Sequence, residues 1–190
     1  VPCALLLGAL ILSTPAPSSA ADYFVTVYAG KYSDNTLGHI LVSKPIEFWH
    51  SYLAVIAIAK IFPLASPAHQ WEVEAQVGQH FAGQHHAEIN AAVIYRWQRF
   101  PWNHYLKTSI ALGDGFSYAT EVPPLELNSP TNEGSAHTLN YIVLETTFAP
   151  PWAKNWSLVT RVHHRSGVYG LFNDVDGGSN VVAVGMKFRF

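Results

Sequence analysis

From residue 70 onward the chain alternates. Trp71, Val73, Ala75 and Val77 are apolar, while Glu72, Glu74, Gln76 and Gly78 between them are polar or small. A period of two is that of a strand, whose successive side chains point to opposite faces of a sheet. The pattern recurs in Ala87, Ile89, Ala91, Val93, Tyr95 and Trp97 against His86, Glu88, Asn90, Ala92, Ile94 and Arg96. It recurs again in Leu106, Thr108, Ile110 and Leu112 against Lys107, Ser109, Ala111 and Gly113. Segments of this kind, separated by turn residues, predict eight strands at about 23–32, 48–61, 70–79, 86–98, 104–117, 136–148, 155–166 and 179–190.

Alternation serves a soluble barrel, with the apolar face as core, and a lipid-embedded one, with the apolar face outside. The connectors favour the second. Pro63–His69, Phe100–Asn103 and Ala149–Trp152 are short and carry Pro or aromatics, and they alternate with Ser33–Glu47, Phe81–His85, Ala119–Ser135 and Gly167–Gly178, three of which are long and polar. Short turns at one end and mostly longer loops at the other suit an outer-membrane barrel. Trp97, Phe100, Trp102, Phe148, Trp152 and Trp156 gather at the short-turn end, where an aromatic girdle is expected. The chain ends in Val184-Gly185-Met186-Lys187-Phe188-Arg189-Phe190, an alternation suited to a final barrel strand. The expected fold is therefore an all-β, eight-stranded antiparallel transmembrane barrel in a bacterial outer membrane.

Composition agrees: apolar residues make up 49% and charged ones 13% of the 190 residues, about half the charged share of ordinary soluble proteins. The most apolar long run after residue 21, Tyr52–Phe62, contains Lys60 and stops at Pro63, too short for a spanning helix. On the polar face Glu72, Glu74, Glu88, Arg96, Lys107, Glu145 and Arg161 carry both signs, and in a small barrel they should pair inside it. A net charge of −2 without a basic run gives no footprint for nucleic acid. Residues 1–20, with the apolar run Ala4–Leu12 and Ser18-Ser19-Ala20, read as a secretory signal peptide, leaving 21–190 as the barrel domain. The single cysteine, Cys3, falls in that leader, so no disulfide is expected. Neither cofactor nor metal is expected: His85-His86 and His163-His164 are sequence neighbours and point to opposite faces. Ala119–Ser135, with Pro123, Pro124 and Pro130, reads as the most mobile loop.

Candidate chemistry lies at the last hairpin. On the seventh strand Trp156, Leu158, Thr160, Val162, His164 and Ser166 share one face, the one the barrel turns toward lipid. Counted from a periplasmic N-terminus this strand runs outward, so His164 and Ser166 sit at its external end, level with the outer leaflet. Closing the hairpin through 167–178 brings Asn180 to His164 on the same face. A hydroxyl, an imidazole and a carboxamide in a row are the parts of a nucleophile, its base and a group that fixes the base's tautomer.

His164-Arg165-Ser166-Gly167 through Gly178-Ser179-Asn180 to Phe190 resembles the PagL-type lipid A 3-O-deacylases and the related acyloxyacyl hydrolase-like barrels. The resemblance implies an eight-stranded barrel whose His-x-Ser pair hydrolyses an ester-linked acyl chain of lipid A, with Ser166 as nucleophile and His164 as base. Members of that family carry Asn after the serine, where this chain has Gly167, and a Glu on the following strand, where it has Asn180. The third group is then Asn180, Asp174 or Asp176, and backbone N–H groups around Gly167 are the expected oxyanion donors. The implied partner is lipopolysaccharide of the outer leaflet, with no cofactor. Two other functions fit the composition: a non-enzymatic outer-membrane barrel for adhesion or envelope integrity, and a secreted lipocalin-like binder of apolar ligands.

Overall fold

The computed structural model describes residues 23–33, 35–42, 45–129 and 132–190. The expected leader at 1–20, with Cys3, lies outside them. Eight strands, β1 (Tyr23–Ser33), β2 (Ser51–Pro63), β3 (His69–Ala82), β4 (Ala87–Trp97), β5 (Lys107–Ala119), β6 (Thr138–Ala149), β7 (Trp156–Ser166) and β8 (Gly178–Arg189), close into a barrel in which each pairs with its sequence neighbours. All pairings are antiparallel, and β1 against β8 completes the ring from Phe24 opposite Arg189 to Ser33 opposite Asn180. Two short helices, α1 (Leu37–Leu41) and α2 (Pro124–Leu127), sit in the β1–β2 and β5–β6 connectors. Among the described residues no helix is long and apolar enough to cross a membrane. The crossing is made by strands, the one other way to satisfy every backbone group in lipid.

The outward face is apolar in a continuous band. Val27, Ile56, Ile58, Val73, Val77, Val93, Ile110, Leu112 and Val184 are exposed, an arrangement that water would oppose and hydrocarbon tails accept. Toward the short turns Trp71, Tyr95, Trp97, Trp102 and Trp152 are exposed, with Trp97 against Phe100 at 4.6 Å, Phe100 against Trp102 at 5.0 Å and Trp152 against Trp156 at 5.7 Å. A second girdle at the loop end, absent from the sequence reading, includes Phe48, Trp49, Phe81 and Tyr118. The barrel is thus of the membrane-spanning kind, lipid-facing outside and polar within.

The interior is held by ion pairs. Glu145 accepts from Arg96 (2.5 Å), Lys187 (2.7 Å) and Arg161; Glu72 pairs with Arg96 (2.5 Å) and Lys187 (3.3 Å); Glu74 pairs with Arg161 (2.7 Å). Three carboxylates thus meet three cations, all buried, which is how a lumen without bulk water tolerates them. Lys187 joins this network; Lys107, expected in it, does not, because its position at the start of β5 sends Nζ to the Ala153 carbonyl at 2.9 Å. Two apolar clusters, Tyr28, Tyr32, Leu53, Val55, Val181 and Ala183, and Ala92, Ile94, Ala111, Tyr141 and Val143, fill the rest of the section.

Strand limits differ from the sequence reading mainly at the ends. β5 begins at Lys107 because Tyr105 and Leu106 donate to the Trp102 carbonyl and extend the turn. The β5–β6 connector, expected to be mobile, is anchored across its described residues. Asn132 pairs with both backbone groups of Gly178 at 3.0 Å, Glu133 and Asp176 form a backbone bridge, and buried Glu126 of α2 accepts from Ser179 Oγ (2.5 Å) and Ser135 Oγ (2.8 Å).

Candidate active site

The β7–β8 register sets His164 directly opposite Asn180 and Ser166 opposite Gly178. His164 Nδ1 lies 2.9 Å from Asn180 Oδ1 and 3.0 Å from the Ser179 carbonyl. Both partners accept, so Nδ1 carries the proton and Nε2 holds the free lone pair. The Asn180 amide is itself fixed, since Nδ2 donates to the Asn35 carbonyl at 2.6 Å, which leaves only Oδ1 to face the imidazole. His164, Ser166 and Asn180 share the outward face, as read from the sequence. Asp174 and Asp176 do not reach the imidazole: both are exposed in the β7–β8 connector, and Asp176 is engaged through its backbone with Glu133.

Ser166 has a different partner. Its Oγ accepts from the Val168 backbone N–H at 3.1 Å rather than pairing with the imidazole. Val168 holds φ at 52° and Tyr169 at 54°. A β-branched residue in that region is strained, and such strain collects at sites that need a particular backbone direction. Here it aims the Val168 N–H back at the serine. Of the backbone N–H groups around Gly167, the glycine's own is not free to act as an oxyanion donor. Its N–H is committed to the Gly177 carbonyl at 3.0 Å, and a Cβ there would overlap the Val175 carbonyl oxygen. The glycine admits its own loop rather than a ligand.

The structure adds a cover that the sequence did not reveal. His164 is only 8% exposed despite facing outward, because the β1–β2 connector folds over it. Asn35 organises this segment: Oδ1 accepts from Ser33 Oγ (2.9 Å) and the Glu47 N–H (2.8 Å), and its carbonyl holds Asn180. Thr36 Oγ1 caps α1 by accepting from the His39 N–H at 3.2 Å. Between this cover and the barrel wall lies a groove of about 600 Å³, bordered by Leu37, Leu41, Ile142, His164, Ser166 and Asn180. A second, apolar groove of about 750 Å³ runs down the lipid-facing wall past Leu144, Thr146, Thr160, Val162 and Val182, and Leu41 borders both. The only sequence signal for the cover was the N-cap and short apolar run Thr36-Leu37-Gly38-His39-Ile40-Leu41.

No family model matches the chain, and no curated protein matches it. Solved structures do. The chain is similar to the outer membrane enzyme PagL (11% identity, TM-score 0.57, covering 88% of this chain and 99% of that one). It is also similar to Neisserial surface protein A (11%, 0.53, 88% and 97%) and to the N-terminal β-barrel domain of Pseudomonas aeruginosa OprF (10%, 0.51, 90% and 98%). At these identities the likeness is one of fold. The chain is an outer-membrane eight-stranded β-barrel.

Proposed function

We propose that this barrel is a serine esterase of the outer membrane, removing an ester-linked (3-hydroxy)acyl chain from lipid A of lipopolysaccharide. One observation carries the reading: His164 Nδ1–H is locked between Asn180 Oδ1 and the Ser179 carbonyl, leaving Nε2 as a base two residues along the strand from Ser166. The grooves support it, since one meets the candidate residues and the other offers an apolar track down the lipid side.

In the proposed reaction an acyl chain lies in the apolar groove and its ester carbonyl approaches Ser166. The serine hydroxyl rotates away from Val168 and attacks the carbonyl carbon as His164 Nε2 takes its proton. That rotation frees the Val168 N–H, the nearest backbone donor for the developing oxyanion. Collapse of the tetrahedral intermediate expels the sugar hydroxyl, which receives the proton from His164. Water then attacks the acyl-enzyme by the same path in reverse and releases the fatty acid.

The test is mass spectrometry of lipid A from cells expressing the wild-type chain, Ser166→Ala or His164→Ala. Loss of one hydroxyacyl chain with the wild type, and with neither variant, is the expected result. Unchanged lipid A with the wild type leaves the second reading, a barrel without chemistry, which the Ser166–Val168 hydrogen bond favours.

A further inference from the structure

The loop end of the lumen holds a second cluster of donors, on the opposite side of the wall from His164. The β3–β4 hairpin pairs Gln79 with Ala87, so His80 and His86 face each other across its mouth, both inward, with Glu88 one inward position further along β4. Their ligand atoms all lie within 4.8 Å of one another. His80 Nε2 is 2.8 Å and His86 Nε2 3.5 Å from the same oxygen, Glu88 Oε1. A tetrahedral ion with bonds of about 2.0–2.1 Å needs donors about 3.3 Å apart, so small side-chain adjustments suffice.

We propose that His80 Nε2, His86 Nε2 and Glu88 Oε1 bind one divalent transition-metal ion of the zinc class, clipping the β3–β4 hairpin from inside the barrel. This is independent of the chemistry assigned to Ser166. The decisive observation is His86. It is 2% exposed, yet Nδ1 has no partner and Nε2 meets only Glu88 Oε1, at 3.5 Å and outside hydrogen-bond geometry. A purely structural His–Glu network would not leave Nδ1 of a buried imidazole without a partner and Nε2 with only a long approach to a carboxylate.

The surroundings also match a metal site. A ligating histidine donates its other N–H to a second group. Gln84 stands 3.1 Å from His80 Nδ1 through its nitrogen, while its Oε1 is buried without a partner. Turning the amide over lets Oε1 accept from Nδ1–H and satisfies that oxygen, once the metal holds Nε2. The other carboxylate oxygen, Glu88 Oε2, is held by His163 Nε2 at 2.9 Å. Arg165 Nη1 lies 3.6 Å from Glu88 Oε1 and 3.5 Å from Glu126 Oε1, so its guanidinium is shared between two carboxylates. Two imidazoles and one carboxylate select a borderline metal over magnesium or calcium. Binding moves the His80 proton from Nε2 to Nδ1, where Gln84 Oε1 accepts it, so the imidazole stays neutral.

The experiment is calorimetric titration of the chelator-treated, detergent-folded barrel with zinc chloride, with metal content measured by mass spectrometry. One ion per chain is expected. His86→Ala should weaken binding at least about 100-fold and Gln84→Ala about 10- to 100-fold, the range for an outer-shell partner. His85→Ala, altering the exposed neighbour, should leave it unchanged. Heat-dependent migration on gels reports whether each variant is folded, and Gln84→Ala tests the site should His86→Ala not fold. No saturable site in the wild type, or a site unaffected by His86→Ala or Gln84→Ala, overturns the proposal.

Discussion

Replacing Asn180 with aspartate separates the two tasks of one side chain. The amide accepts from His164 Nδ1–H at 2.9 Å and donates to the Asn35 carbonyl at 2.6 Å. Aspartate keeps the first bond, now charged, and turns a carboxylate oxygen toward the Asn35 carbonyl. Asn180 is 1% exposed, so no water replaces the lost donor. Stranding that carbonyl costs about 1–3 kcal/mol. In the proposed reaction, the carboxylate stabilises the imidazolium that forms when His164 takes the serine proton. In serine proteases the reverse change costs about 10⁴-fold because the imidazole adopts the wrong tautomer. Here the Ser179 carbonyl already holds Nδ1–H, so only the electrostatic part is available to gain. A rise of about 10- to 100-fold in turnover, roughly 1.4–2.7 kcal/mol in barrier, is expected. Asn180→Leu should slow turnover by only about 10-fold, since the Ser179 carbonyl remains. Initial rates of fatty-acid release from lipid A in mixed micelles give the first quantity, and urea midpoints of the folded barrel the second. If Asn180→Asp loses stability without gaining rate, Asn180 is a strut for the connector and not the orienting group of the base.

Two further expectations follow from the wall and the loop. Glu145→Gln removes the carboxylate shared by Arg96, Arg161 and Lys187, and leaving those cations against Glu72 and Glu74 alone should cost about 3–5 kcal/mol in urea unfolding; a loss below about 1 kcal/mol would contradict the pairing scheme. Gly167→Ala sets a methyl group on the Val175 carbonyl, so acyl release should fall to background while the barrel still migrates as a folded species on unheated gels. Wild-type rates in that variant would show that the Val168 direction does not matter.

The strands and their faces were legible because a barrel wall enforces a period of two. Once Trp71 points outward, Glu72 must point in, and Arg96 across the β3–β4 pair follows. The same rule placed His164, Ser166 and Asn180 together on the outer face. What the sequence concealed depends on contacts between distant segments. Asn35 covers Asn180 from 145 residues away, and Glu126 reaches Ser179 across 53. Gly167 looked like room for an oxyanion because its real neighbour, Val175, is fixed only by the folded turn. The His80–His86–Glu88 cluster is hidden in the sequence because its members meet across a hairpin, whereas His85-His86 and His163-His164 are neighbours whose side chains diverge. The signal lay across the hairpin, in two histidines equidistant from its tip.

The outward orientation of His164 and Ser166 also decides what concentration means for this protein. A site that opens to solvent samples its ligand in three dimensions, at a rate set by bulk molarity. Under the proposed function, a groove on the lipid side of the wall, roofed by the β1–β2 connector, receives molecules that slide in laterally within the leaflet. Its occupancy then follows the mole fraction of a lipid among its neighbours, and diluting the membrane with inert lipid lowers it as surely as removing ligand. Under the proposed function, turnover at such a site becomes a gauge of leaflet composition.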